Sequence, residues 1–196
     1  YSFDQLRDFS NQFANALKAA GVKKGDRVGI LLTQGLATGI AHLATYKLGA
    51  IAVPLFALFG LDALSFRIAH AGITTLITDQ GGLDKINTIR SEIPCLKNIF
   101  NINQEYSDEK ALSFWSELNA QPLTFEVANT LAEDPAIIIF TSGTTGKPKG
   151  ACHAHRVLLG HLPGVETSHN NEMDSDDTIF WTPADWAWIG GLLDLL

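Results

Sequence analysis

The chain has 196 residues, 14 basic and 21 acidic, and a formal charge of −7. With 46% hydrophobic and 18% charged residues it can bury a core, which excludes a disordered polymer. The acidic balance argues against a general nucleic-acid binder, which needs a basic face. Two cysteines, Cys95 and Cys152, cannot build a disulfide framework, so a reducing, cytoplasmic setting is expected.

Tyr1–Ser10 carries acids and no apolar run, so it does not read as a secretory signal. Tyr1 is not an initiator Met, and Trp186–Leu196 is an apolar run with no polar tail; the chain reads as a piece of a longer protein. Phe3, Leu6, Phe9, Phe13, Ala16 and Leu17 follow Ser2 with helical spacing, and Gly21 marks a stop. Val28–Leu32 reads as a strand, Leu36–Leu48 as a helix and Ile51–Val53 as a second strand. The uncharged stretch Val28–Tyr46 is interrupted by polar residues, and Leu48–Leu61 falls short of the ~20 residues of a membrane span, so no transmembrane segment is expected. Leu61–His70 is a helix closed by Gly72, and Thr74–Thr78 a third strand. This alternation points to an α/β fold, a mainly parallel sheet with helices on both faces.

From Gln80 to Thr130 the pattern weakens. Gly81-Gly82, Pro94 and Pro122 punctuate it, Asn98–Ile102 reads as a strand, and Asn103–Lys110 as a surface loop. Ala136–Phe140 is a strongly apolar strand, Val157–Leu162 a helix, Asn170–Asp177 an acidic connection and Thr178–Trp181 a further strand.

The chemistry is concentrated in Thr141-Ser142-Gly143-Thr144-Thr145-Gly146-Lys147-Pro148-Lys149-Gly150, directly after the strand Ala136–Phe140. Its four hydroxyls, three glycines and two lysines suit a polyphosphate. Glycine lets backbone N–H groups converge on an anion, hydroxyls donate at short range, and lysines add charge. A solvent-exposed turn has the same composition and is the competing reading. Between Pro135 and Val165 there is no Asp or Glu, whereas Lys147, Lys149 and Arg156 lie there with His153, His155 and His161. Such a local positive field in an acidic chain favours anion capture. The ordinary P-loop pattern is not met, because Gly146-Lys147 is followed by Pro148.

Thr141–Gly150 resembles the signature loop of the AMP-forming acyl-CoA synthetase, luciferase and peptide-synthetase adenylation superfamily. Tyr1–Leu6 resembles that family's opening helix, and Tyr46–Pro54 its next motif, a helix entering a core strand. Thr182–Gly191 resembles the substrate-side motif of the acetyl- and medium-chain acyl-CoA synthetases, so the likeness runs over essentially the whole chain. The resemblance implies a ligase that activates a carboxylic acid with Mg²⁺ and ATP to an acyl-adenylate and pyrophosphate. The acyl group then passes to coenzyme A. On this reading Thr141, Ser142, Thr144 and Thr145 hold phosphates, and Gly143 and Gly146 give the loop its freedom. Lys149 matches the family's loop lysine and Lys147 a variable position, so catalysis is assigned to Lys149 with Thr144. Trp188, Ile189 and Gly190 would line the acid pocket.

The family's later motifs, with the residues for Mg²⁺, ribose and adenylation, do not occur in these residues. Residues 1–196 therefore read as the N-terminal part of the large AMP-binding domain, with no metal ligands of their own and inactive alone. A peptide-synthetase adenylation domain and a non-catalytic phosphate-binding domain are the alternatives; Ala184–Trp188 favours the CoA ligases. In acetate-using relatives Val and Thr follow the motif Trp. Here they are Ile189 and Gly190, which opens room for an acid longer than acetate. Cys152-His153-Ala154-His155 raises a metal site, since His153 and His155 would share one strand face, but no second ligand pair follows. His42 and His70 are expected as core or boundary residues, and both cysteines as packing residues.

Overall fold

The structure, a computed structural model, describes residues 1–141, 146–170, 179 and 181–193. Ser2 begins α1 (Phe3–Ala19) through a capping box: its hydroxyl accepts from the Gln5 N–H while the Gln5 side chain accepts from the Ser2 N–H. β1 (Arg27–Leu31), α2 (Leu36–Lys47), β2 (Ile51–Pro54), α3 (Leu61–Ala71) and β3 (Thr75–Thr78) follow, within a residue or so of the sequence-based boundaries. Gly72 closes α3 in the left-handed conformation.

Next come α4 (Gln80–Thr88), a 3₁₀ turn (Arg90–Glu92), β4 (Asn98–Asn101), β5 (Leu112–Ser113) and α5 (Phe114–Asn119), then β6 (Pro135–Thr141), β7 (Lys149–Ala154), α6 (Arg156–Ser168) and α7 (Ile189–Leu193). The strands form one sheet in the order β5-β4-β3-β1-β2-β6-β7. Every neighbouring pair is parallel except β6 and β7, an antiparallel hairpin.

Alternation along the strands divides the core into two layers. Val28, Ile30, Ala52, Ile77, Phe100, Ile137 and Ile139 face α1, α2 and α5, where Phe13, Leu17, Ile40 and Phe114 are fully buried. Leu31, Val53, Leu76, Ile99 and Phe140 face α3 and α4 through Leu64, Ile68, Leu83 and Ile86. Each such aliphatic side chain taken from water contributes about 1.5–3 kcal/mol before the entropy of ordering it.

Four features depart from the sequence reading. Gly81-Gly82, read as punctuation, lies inside α4: Asp79 caps that helix by accepting from the Gly82 N–H at 2.8 Å. A Cβ on Gly82 would run into the Thr78 hydroxyl, so this glycine is there for close helix–strand approach. β5 and α5 were not visible in the weak region, and β7 was hidden because its Gly-Ala-Cys-His-Ala composition carries no β-branched signal. Thr178 and Phe180 of the expected strand Thr178–Trp181 lie outside the described residues, and Ile179 and Trp181 carry no regular structure. Among the described residues no helix is long and apolar enough to cross a membrane.

Candidate functional site

Because β6 runs parallel to β2, the residues after β6 leave the sheet at the same rim as those after β1 and β2. The loop's stem is the hairpin. Thr141, last in β6, pairs with Lys149, first in β7, and the Thr141 hydroxyl reaches the Lys149 carbonyl at 3.4 Å. Both residues are exposed at the base of the loop. Gly146 takes φ +106, a conformation that L side chains rarely adopt. Lys147 is exposed too, and its ammonium stands 5.6 Å from the centroid of the Phe66 ring on α3. Ser142, Gly143, Thr144 and Thr145 lie outside the described residues. Of the assigned loop residues, Thr141, Gly146, Lys147 and Lys149 are thus placed, with two hydroxyl- and ammonium-bearing positions brought together at the stem.

The second segment, Thr182–Gly191, returns to the same rim. Gln34, in the connection after β1, donates to the Ala184 carbonyl at 2.7 Å. Asp185 turns the chain, its carboxylate accepting from the Ala187 N–H and its carbonyl from the Trp188 N–H. The two tryptophans lie at this turn. Trp186 packs against the core. Trp188 is 48% exposed, with its ring 6.3 Å from that of Phe56. Ile189 is half-buried and Gly190 exposed, with open space where a Cβ would stand.

Three residues of this rim went unnoticed in the sequence. Phe56 lies 5.6 Å from Phe59, and the Arg67 guanidinium sits 4.0 Å above the Phe59 ring and 5.5 Å from that of Phe140, the residue before Thr141. A line of rings and one cation therefore connects Trp188 to the loop stem. A signal was available: Arg67 interrupts the apolar stripe of α3 between Leu64 and Ile68.

Beneath the returning segment His42 is fully buried on α2 and within 3.2 Å of the Tyr46 hydroxyl. Burial pushes its pKa down to about 3, so the ring is neutral, and burial raises that of the Tyr46 phenol. The Trp186 ring approaches His42 edge-on at 6.4 Å, and both the Trp186 Nε1 and the His42 Nε2 are buried without a hydrogen-bond partner. His42 is a core residue as expected. His70 is exposed, stacked on Phe66 at 5.2 Å.

The strand-face argument for a metal fails on geometry. β7 ends at Ala154, and His155 has turned into the helical region (φ −53, ψ −34) to begin α6. Among the described residues no group of three or more His, Cys, Asp or Glu could hold a metal ion. Cys95 and Cys152 are free thiols; Cys152 is exposed on β7 and is not the packing residue expected of it.

The sequence model of the AMP-binding enzyme family matches residues 1–196. An acetyl-coenzyme A synthetase of Pasteurella multocida (strain Pm70) is 36% identical over 97% of this chain and 31% of its own length. Another, from Magnetococcus marinus, is 32% identical with the same coverage. The chain thus spans about 31% of the curated relatives it matches. Among solved structures, an anthranilate CoA ligase in complex with anthranoyl-AMP superposes with a TM-score of 0.79 at 34% identity, over 83% of this chain and 31% of that one. The acyl-CoA synthetase of Brucella canis superposes with a TM-score of 0.84 at 28% identity, over 98% of this chain and 34% of that one.

Proposed function

The chain belongs to the family of AMP-binding enzymes, and from that premise we propose that it is the N-terminal part of an AMP-forming acyl-CoA synthetase. In the whole protein a carboxylic acid attacks the α-phosphorus of ATP, giving an acyl-adenylate and pyrophosphate. The thiol of coenzyme A then takes the acyl group and releases AMP. The observation that carries this reading is the loop on the β6–β7 hairpin, with Thr141 and Lys149 paired at its stem. Thr141, Ser142, Thr144 and Thr145 donate to the phosphates. Lys149 neutralises charge that gathers on the departing pyrophosphate, the step at which fixed donors and cations count most. Gly143 and Gly146 let the backbone close on the anion.

Mg²⁺ would neutralise the triphosphate during the same step. Among the described residues no side-chain cluster fits a metal, so no step here runs through one. Trp188, Ile189 and Gly190 form one wall of the acid pocket, on the same rim as the loop. The relatives' names, acetyl-coenzyme A synthetase and anthranilate CoA ligase, support a CoA ligase over a peptide-synthetase domain. The missing Cβ at Gly190 supports a short- to medium-chain or branched acid longer than acetate. Two free thiols suit a reducing, cytoplasmic setting.

The test is acid-dependent ATP–pyrophosphate exchange by the full-length protein, followed by thioester formation with CoA. Exchange with CoA transfer is expected for the whole enzyme and none for residues 1–196 alone. Phosphate binding without exchange by any acid would favour a non-catalytic phosphate-binding domain. Exchange without transfer to CoA would favour a peptide-synthetase type.

A further inference from the structure

Arg67 is a cation in the wrong kind of place. It lies on the α3 face that packs against the sheet, is only 7% exposed, and has no carboxylate within ion-pair distance among the described residues. One nitrogen donates to the Ala63 carbonyl of its own helix at 2.9 Å, and its Nε is buried without a partner. What compensates the charge is aromatic: the faces of Phe59 at 4.0 Å and Phe140 at 5.5 Å. A buried, unpaired cation is costly, and an apolar side chain of similar length would fill such a site at less cost. Its location supplies a reason. Phe140 is the last residue before the loop stem at Thr141, and the neighbouring Phe66 carries Lys147 over its ring.

We propose that Arg67 is a positioning residue for the phosphate loop. Stacked between Phe59 and Phe140, it holds the end of β6 and places a positive charge with no carboxylate partner among the described residues behind the stem, where it favours a polyphosphate in the loop. The proposal rests on the acyl-CoA synthetase reading for the identity of the anion. It adds a residue outside the loop that acts on the anion through the fold without touching it. Charge acting through the protein interior is poorly screened; one unit charge ~10 Å from a singly charged anion at an effective dielectric of ~20 changes affinity by about an order of magnitude, which sets the least effect expected on a polyphosphate.

Two variants of the full-length protein separate charge from packing. Arg67→Met keeps an apolar filling and removes the charge; Arg67→Lys keeps the charge and loses the planar stack. Inorganic pyrophosphate and MgATP serve as probes, titrated by calorimetry and, where exchange occurs, through KM. For Arg67→Met the Kd of both probes is expected to rise roughly tenfold or more, with KM for the acid changed less than about twofold and Tm unchanged or higher. Arg67→Lys is expected to stay within about threefold of the parent for both probes. Probe affinities unchanged in Arg67→Met would overturn the proposal, as would an equal loss in the two variants. Should Arg67→Met not fold, Arg67→Gln takes its place as the variant without the charge, and the same outcomes decide. Binding is read without turnover, so a protein that binds pyrophosphate but catalyses no exchange counts against the proposed function and leaves this test intact.

Discussion

The part built on β1–β6 and the part built on β7, α6 and α7 both carry apolar residues, yet these end in different surroundings. In the first, Phe13, Ile40, Leu64 and Phe100 have no exposed surface, and the Phe13 ring packs on Phe100 and Phe114 at 5.3 and 4.2 Å. In the second, Leu159 and Leu162 on α6 are 76% and 46% exposed, and Trp181 is open. Periodicity makes a helix, but only a facing element buries it. The Thr141–Gly150 loop and the Trp188 segment border the second part, and the loop is carried at the edge of the sheet that the first part buries. That division is usual where chemistry sits on loops and a scaffold positions them.

Four measurements test the contrast. The largest effect belongs to the core: Phe13→Ala in the 196-residue chain should cost about 3–5 kcal/mol in urea unfolding, whereas Leu159→Ala should fall within about 0.5 kcal/mol of the parent. Equal costs would mean that α6 is as tightly packed as α1. Next in size is the loop. In the full-length protein Lys149→Ala and Thr144→Ala should each slow adenylate formation by roughly ten- to a thousand-fold, with thermal stability little changed. Unaltered exchange in both would remove their assigned roles.

A smaller effect comes from His42, where the two parts meet through Trp186. Its folded pKa of about 3 lies below the ordinary 6.5, so the unfolded chain takes up a proton that the fold refuses. Stability is therefore full above pH ~6.5 and falls on acidification, by at most about 1.4 kcal/mol per pH unit for this proton. Burial lowers the His155 pKa as well, which adds in the same direction. Unfolding measured from pH 7 to 5 should show a shallower slope for His42→Leu than for the parent. Identical slopes would mean that His42 is protonated inside the fold. The smallest effect concerns the acid. Gly190→Thr fits the open space at that position and should move preference toward acetate by several-fold in kcat/KM. Each buried CH₂ of a longer acid is worth roughly 0.8 kcal/mol. An unchanged ranking of acids would take Gly190 out of the pocket wall.

Sequence by itself determined the first half of the fold and supplied the motif on which the proposed chemistry rests. Ser2 with Gln5 writes a capping box, Gly72 a helix stop, and the apolar run from Val28 the buried strand Arg27–Leu31, because these signals act over a few residues and need no distant partner. The ten residues from Thr141 to Gly150 are readable as an anion-loop motif for the same reason: the donors and charges are contiguous. Tertiary structure decided what depends on approach across the fold. Gly82 became a helix residue because α4 must come close to the Thr78 side chain. β7 became a strand because β6 offered it an edge to pair with, although its own residues carry little strand preference. Trp186 turned inward and Trp188 outward because Gln34 and Asp185 fix the turn between them and the sheet. Arg67, one basic residue in an apolar stripe, came to stand beside Phe140 and the hairpin stem only because α3 packs against the end of β6, a contact between residues more than seventy positions apart in the chain.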